Sequence, residues 1–268
     1  MYILQRKKNY ICGKMNDKFE IETKSLQQFK PITLSEMDEV KLMNRTDTKF
    51  VFPRSILSEV LETLSHTYRI LEINGKRISS YQTLYFDTVN FQFYLDHHNG
   101  RGDRFKVRIR NYVESELFFL EIKNKYKGRT DKKRIRLEGF EHEFSSLSDE
   151  FVKGIVGEDA KLEAKLWNSF SRITLVNQAE KERLTLDLNL GFSWKDKEET
   201  FSSTVIGELK QENVNRNSLF YSLMKKKGVL PNSISKYCIG AISLNPELKY
   251  NNFKAKTLLL DKIHNYDK

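Results

Sequence analysis

The stretch RFKVRIRNY, residues 104–112, constrains this chain more than any other. Read with the two-residue period of a β-strand, it places Arg104, Lys106, Arg108 and Arg110 on one side and Phe105, Val107 and Ile109 on the other. The apolar side demands a core. The other side puts four cations in a row, and like charges side by side on a sheet destabilise it. A fold that keeps this strand must supply water or counter-charge along its length.

Neighbouring segments repeat the pattern. SYQTLYFDT (80–88), LFFLEIKNKY (117–126) and KKRIRLEG (132–139) also read as strands, and VES (113–115) reads as a hairpin turn. Glu121, Lys123 and Lys125 face away from Leu120 and Ile122. Lys132, Arg134, Arg136 and Glu138 face away from Lys133, Ile135 and Leu137. Later, ERLTLDLNL sets Arg183, Thr185, Asp187 and Asn189 against Leu184, Leu186, Leu188 and Leu190, while Glu208 and Lys210 share a face in GELKQ. A solvated antiparallel face mixes signs across its strands. Here cations dominate strand after strand, with few carboxylates among them.

Such faces can instead point inward. The expected fold class is α+β: a closed antiparallel β-barrel of about eight strands forming a tunnel, with peripheral helices. A cavity lined by Arg and Lys needs a polyanion or ordered water inside it. Arginine offers paired donors that suit phosphate oxygens, and lysine adds a point charge. Scattered glutamates could hold a divalent metal that bridges to phosphates.

The flanks supply the helices. TLSEMDEVKLMN, from residue 33, spaces Leu34, Met37, Val40, Leu42 and Met43 helically behind an N-cap at Thr33 or Ser35. TKFVF (48–52) reads as a strand, and Pro53 then opens a helix with the stripe Ile56, Leu57, Val60, Leu61, Leu64. Helical signals return at 141–170 and are expected to end near KLEAKLWNSF. SRITLVN, ERLTLDLNLGFSW and TVIGELKQE follow as strands, and 217–229 and 235–244 as helices. Residues 1–31 read as a loose arm, 32–245 as the domain and 246–268 as a C-terminal tail. His97 and His98 are expected in a loop with NGRGD, and a surface role is expected for all five histidines.

Lys and Arg number 46 against 36 Asp and Glu, a net charge of +10. That excess calls for an acidic partner: nucleic acid, an anionic membrane or phosphorylated small molecules. Nucleic-acid binding would place aromatics on the cationic face for base stacking. Phe105, Phe119 and the other strand aromatics are read largely on the opposite face, so no nucleic acid is expected. Cys12 and Cys238 cannot form a disulfide framework or a CxxC metal site. No apolar run suits a signal peptide or a membrane span, so a soluble, cytoplasmic protein is expected.

The order RTDTKF (45–50), TLYFD (83–87), KVRIR (106–110), FLEIKNK (119–125), KKRIRL (132–137), FSRITL (170–175), RLTLD (183–187), ELK (208–210) and SKYCIG (235–240) resembles the VTC domain. This is the polyphosphate polymerase branch of the triphosphate tunnel metalloenzymes, a CYTH-like superfamily. An opening ExExK strand is absent, and RTDTKF in its place is similar to the VTC branch. The resemblance implies a tunnel that binds ATP and inorganic polyphosphate, with Mn²⁺ or Mg²⁺ as cofactor. It implies transfer of the γ-phosphate of ATP to a growing polyphosphate chain. Hydrolysis of tripolyphosphate or polyphosphate by the same tunnel, and a non-catalytic polyphosphate sensor, are the alternatives. A separate membrane protein is the partner it implies.

By position in those motifs, Arg108, Arg110 and Lys123 are the expected catalytic residues. Phosphate binding is expected from Lys49, Arg45, Lys132, Arg134 and Arg172, and from Arg183, Lys210, Ser235 and Lys236. Glu208 falls on the metal-binding glutamate. Glu121 is expected either as a second metal ligand or as the salt-bridge partner of Lys123, and Arg183 as the ion-pair partner of Asp187. VTC domains often carry Tyr where this chain has Phe170, a difference that removes one possible phosphate contact.

Overall fold

A computed structural model describes residues 24–39 and 45–266 of the chain. Near its start, β1 (Lys30–Ile32) leads into α1 (Leu34–Glu39). Thr33 and Glu36 cap α1 reciprocally: the Thr33 N–H donates to Glu36 at 2.8 Å, and the Glu36 N–H donates to the Thr33 hydroxyl at 3.3 Å. Val40, Leu42 and Met43, read as part of this helix, lie outside the described residues, as does Cys12. Next come β2 (Thr46–Pro53), a 3₁₀ turn after Pro53, and α2 (Leu57–Leu64). The expected stripe is the buried face of α2: Leu57, Val60, Leu61 and Leu64.

β3 (Arg69–Leu71) and β4 (Ser79–Asp87) precede α3 (Gln92–His98). His97 and His98 therefore end a helix rather than sit in a loop, and His98 is buried against the ring of Phe253. β5 (Arg104–Tyr112), β6 (Leu117–Tyr126) and β7 (Arg129–Leu137) form the antiparallel meander read from the sequence. After α4 (Ser146–Val156), Gly157 at φ 128° ends the helix. KLEAKLWNSF, expected as the end of a helix, is strand instead. β8 (Glu163–Asn177) runs through it because β4 and β9 (Glu182–Trp194) pair with it on both sides. Pairing on both edges overrides the local helical preference. β10 (Lys197–Phe201), β11 (Thr204–Gln211), α5 (Leu219–Lys226), α6 (Lys236–Leu244) and α7 (Lys254–Tyr266) complete the described chain. No helix among the described residues is long and apolar enough to cross a membrane.

The main sheet has the order β2-β11-β9-β8-β4-β5-β6-β7, with β1, β3 and β10 attached to it. It is a large, curled, mostly antiparallel sheet, but it is not closed into a barrel. β2 and β7 are its two ends. The free edge of β2 is already occupied: Phe50 bridges to Pro231, and the Asn232 N–H donates to the Lys49 carbonyl at 2.7 Å. β7 carries Lys132, Lys133, Arg134 and Arg136, with all but Ile135 and Leu137 exposed, and such a charged edge resists pairing.

The curl divides the core by face. On the convex side, Phe50, Phe52, Leu184, Leu186, Leu188 and Leu209 pack under α2 and α5. Val107, Ile109, Leu120, Ile122 and Leu137 pack near α4. The concave face has an apolar part, where Val51, Ile206, Leu166, Leu190 and Phe192 meet α6 and α7. The rest of that face is charged.

Strict alternation would put Leu190 with Leu184, Leu186 and Leu188. It packs in a different cluster because Asn189 has φ 52° and the β8–β9 register shifts beside it. A residue in the left-handed region inserts one position and reverses the phase of the strand. Leu190 and Phe192 thereby become the seat for α6. Gly240 of α6 lies so close to that seat that a Cβ there would be 2.4 Å from the Phe192 ring. Gly240→Ala is expected to destabilise the fold by about 1–3 kcal/mol, read as a lower thermal midpoint; an unchanged midpoint would refute this close packing.

Candidate functional site

Cross-strand register assembles the charged face. Arg108 of β5 stands opposite Glu121 of β6, Arg172 of β8 opposite Asp187 of β9, and Lys49 of β2 opposite Glu208 of β11. Each pair is an ion pair, and each carboxylate takes a second cation. Glu121 accepts from Arg108 Nε at 2.8 Å and Nη2 at 2.7 Å, and from Lys132. Asp187 accepts from Arg172 Nε at 2.5 Å and Nη2 at 2.8 Å, and from Lys236. Glu208 is 3.4 Å from Lys49 Nζ and also bonds Lys210, whose amine is 3.7 Å from Asp47.

Burial alone would raise the pKa of Glu121, but Arg108, Arg110 and Lys132 outweigh it and hold it down at about 2. The carboxyls of Asp187 and Glu208 are likewise held well below the usual range, by Arg172 and Lys236 in one case and by Lys49 and Lys210 in the other. All three are anions near neutrality. The Arg183–Asp187 pair read from the sequence is replaced: Asp187 bonds Arg172 across the sheet and Lys236 from α6.

Other cations make no salt bridge among the described residues. Arg110 is buried and makes no salt bridge among the described residues. Its Nε is 3.3 Å from the Thr83 hydroxyl, and its guanidinium lies 5.5 Å from the ring centres of both Tyr81 and Phe170. Those two rings are stacked 4.9 Å apart. Arg172 sits 5.0 and 5.2 Å from the same rings, and Lys236 lies 4.7 Å from Phe170. Phe170 thus supplies a ring face to three cations. Phe119 lies 4.5 Å under Arg134 and so belongs to the charged face, contrary to the sequence reading.

Lys123, exposed on β6, interacts electrostatically with Lys49, Asp47 and Glu208, and so reports how far the sheet curls. Lys106 donates to the Ser235 hydroxyl at 3.0 Å. Ser235 is the N-cap of α6, and Tyr237 two residues on is bonded to Asp87, which fixes the helix over the face.

The structure therefore brings together Arg108, Arg110, Lys123, Lys49, Lys132, Arg172, Lys210, Ser235, Lys236, Glu121 and Glu208 on one concave face. Arg134 stands exposed on the edge strand, Arg45 lies 3.2 Å from Asp47 at the start of β2, and Arg183 is in register with Lys210. Lys106, Asp187, Asp47 and the Tyr81–Phe170 pair were given no site role in the sequence reading. Strand phase puts Lys106 and Asp187 on the charged faces without saying what they meet there; the stacked pair depends on the β4–β8 register.

Among the described residues, no cluster of three or more His, Cys, Asp or Glu side chains is placed to hold a metal. The arrangement suits a multiply charged anion: rigid guanidinium forks and amines face inward, already oriented by their carboxylates.

A family model described as the VTC domain matches residues 44–245. No curated protein matches the chain. Similar solved structures include a Hippeastrum protein proposed as an adenylyl cyclase and described as having a dominant triphosphatase activity. It is 15% identical, covering 77% of this chain and 100% of that one, with a TM-score of 0.48. A proposed adenylate cyclase from Bacillus halodurans is 14% identical over 72% of this chain and 96% of its own, with a TM-score of 0.47. Another from Vibrio parahaemolyticus is 10% identical over 74% and 100%, with a TM-score of 0.45.

Burial, with Lys49, Lys123 and Arg104 nearby, pushes the Lys106 ammonium down to about 7, and burial pushes Lys236 down to about 8 against the pull of Asp187. As pH rises through these values the free protein loses both protons. The fold gains stability in that range, because the unfolded chain binds protons that the folded one has released. An anion restores the charge on these amines. Affinity for long-chain inorganic polyphosphate is therefore expected to fall as pH rises from 7 to 8, with proton uptake on binding at the upper end. Calorimetry in buffers of different ionisation enthalpy measures that uptake; binding without it would contradict the assignment.

Proposed function

The chain belongs to the VTC domain family, and on that premise we propose that it is a polyphosphate polymerase. It transfers the terminal phosphoryl group of ATP to the end of an inorganic polyphosphate chain lying on the concave face. The observation that carries this reading is Arg110: a buried guanidinium on a cation-rich surface, packed against two aromatic rings and a hydroxyl, with Glu121 nearby but in salt bridges to Arg108 and Lys132 and none to Arg110 among the described residues. Such a cation is costly to bury unless an anion completes it.

In the transfer, a terminal oxygen of polyphosphate attacks the γ-phosphorus of ATP. The bond from that phosphorus to the bridging oxygen breaks, and ADP leaves with the electron pair. The attacking oxygen is already anionic, so no strong general base is needed. Arg108 and Arg110 hold the equatorial oxygens in line, Lys123 and Lys49 neutralise charge along the chain, and Lys236 and Arg172 add their charge beside Arg110 around the same aromatic pair. Tyr81 and Phe170 orient Arg110 and Arg172 without competing as acceptors.

Mn²⁺ or Mg²⁺ would be held by Glu208, whose side chain is 18% exposed against 2% for Glu121, only by displacing Lys49 or Lys210 from its carboxylate, with phosphate and water supplying most of the ligands. When bound it would neutralise phosphate charge. Glu121 does not fit a metal: it is buried between Arg108 and Lys132 with Arg110 close by, so its role is counter-ion to those side chains.

With ATP and Mn²⁺ or Mg²⁺, the protein is expected to form long-chain polyphosphate and ADP, and a chelator should stop the reaction. Release of free phosphate in place of polymer would mark hydrolysis instead. Arg110→Ala is expected to lower turnover by roughly a hundredfold or more while leaving the thermal midpoint no lower, since it removes an unpaired buried charge. Arg108→Ala should lower both, because it strips Glu121 of a partner. Unchanged turnover in a folded Arg108→Ala/Arg110→Ala double variant would sink the assignment.

A further inference from the structure

Three ammonium groups from distant parts of the chain converge on one three-residue segment. Lys49 of β2 reaches the Ile234 carbonyl at 3.4 Å. Lys106 of β5 donates to the Ser235 hydroxyl at 3.0 Å. Lys256 of α7 donates to the Ser233 carbonyl at 2.7 Å. The segment runs directly into the N-terminus of α6, whose free N–H groups add positive potential.

Counter-charge is scarce at this spot. Lys49 shares Glu208, but neither Lys106 nor Lys256 makes a salt bridge among the described residues. Arg104 and His97 lie in the same neighbourhood, and the buried Nδ1 of His97 has no hydrogen-bond partner. Burial and the surrounding cations hold the His97 ring neutral and lower the Lys256 ammonium. Gathered amines of this kind repel one another and lose hydration, so their convergence costs free energy in the free protein. An anion would reverse the sign of that cost.

We propose that Lys49, Lys106 and Lys256 form a second phosphate subsite beside the N-terminus of α6, which holds the polyphosphate chain away from the guanidinium cluster where transfer occurs. Lys106 and Arg110 are four residues apart on β5, about 13 Å along the strand. That is too far for one phosphate group to touch both, but a chain of them can. The chemistry of the two places differs accordingly. Guanidinium forks fix a phosphoryl group in one orientation, whereas an ammonium on a flexible stem is a point charge that tolerates a chain sliding past it. Lys256 also lies outside residues 44–245, so the subsite draws on a helix beyond the family-matched region. The inference rests on polyphosphate being the ligand of the concave face.

The test is direct binding of long-chain inorganic polyphosphate and of pyrophosphate, in the absence of ATP, to the full chain. Lys256→Gln is expected to weaken long-chain binding about tenfold, the loss of one charged contact, and Lys256→Arg to restore it. Lys106→Gln, the second variant, should show the same long-chain loss. Unchanged long-chain affinity in folded Lys256→Gln and Lys106→Gln would overturn the subsite while leaving ATP-dependent polymer formation by the wild type intact. An equal loss for pyrophosphate and the long chain in Lys256→Gln would also overturn it, because Lys256 would then act on the guanidinium end. If the wild type makes no polymer from ATP yet Lys256→Gln still selectively weakens long-chain binding, the subsite stands and the transfer reading falls.

Discussion

Three shared carboxylates hold the concave face together. Glu121, Asp187 and Glu208 each bridge two cations, and the bridges tie β5 to β7 through β6, β8 to β9 and α6, and β2 to β11. Without them the cations of neighbouring strands would face one another directly, which opposes pairing. Buried ion pairs add little net stability against an apolar alternative, but breaking one leaves an uncompensated charge. Their larger effect here is on register. Arg108–Glu121, Arg172–Asp187 and Lys49–Glu208 are directly opposed across the ladder. A slip of one residue would drive each charge into the leucine and valine layer on the convex side.

The same bridges sort the cations into two populations. Those tied to a carboxylate are held in place before any ligand arrives, so little ordering remains to oppose binding. Arg110, Lys106 and Lys256, which make no salt bridge among the described residues, supply the charge left over for a ligand. Orientation and attraction are therefore supplied by different side chains. This explains how one face can be both rigid and strongly electropositive.

Much of this was legible in the sequence because the side-chain period of a strand is two. The alternation in RFKVRIRNY, LFFLEIKNKY and KKRIRLEG was enough to assign Val107, Ile109, Leu120 and Ile122 to the core and the charges to one face. What escaped was set by groups far away in the chain. Closure failed because Pro231 and Asn232 occupy the edge of β2, which no pattern within β2 or β7 reveals. KLEAKLWNSF has the composition of a helix and is strand only because two neighbours pair with it. The phase of Leu190 turned on a single left-handed residue, Asn189. Asp187 was matched to Arg183, its neighbour on the same strand face, whereas its partners came from β8 and α6. Phe170 looked like a lost hydroxyl in the motif; in the fold it is half of an aromatic stack serving three cations.

α6 is where packing and electrostatics become one problem. Its body is apolar, with Tyr237, Ile239 and Ile242 filling the part of the concave face that Leu190 and Phe192 line. Its first turn is polar, with Ser235 bonded to Lys106 and Lys236 bonded to Asp187. The helix can place those two side chains among the charges only if its body descends fully onto β9, and that approach depends on a glycine at 240 and on the reversed phase at Asn189. A shift of the helix by one carbon's width would lengthen the bond to Asp187 and expose Arg172 to a half-satisfied partner. The geometry of the cationic face is thus set by a hydrophobic contact that touches none of its charges.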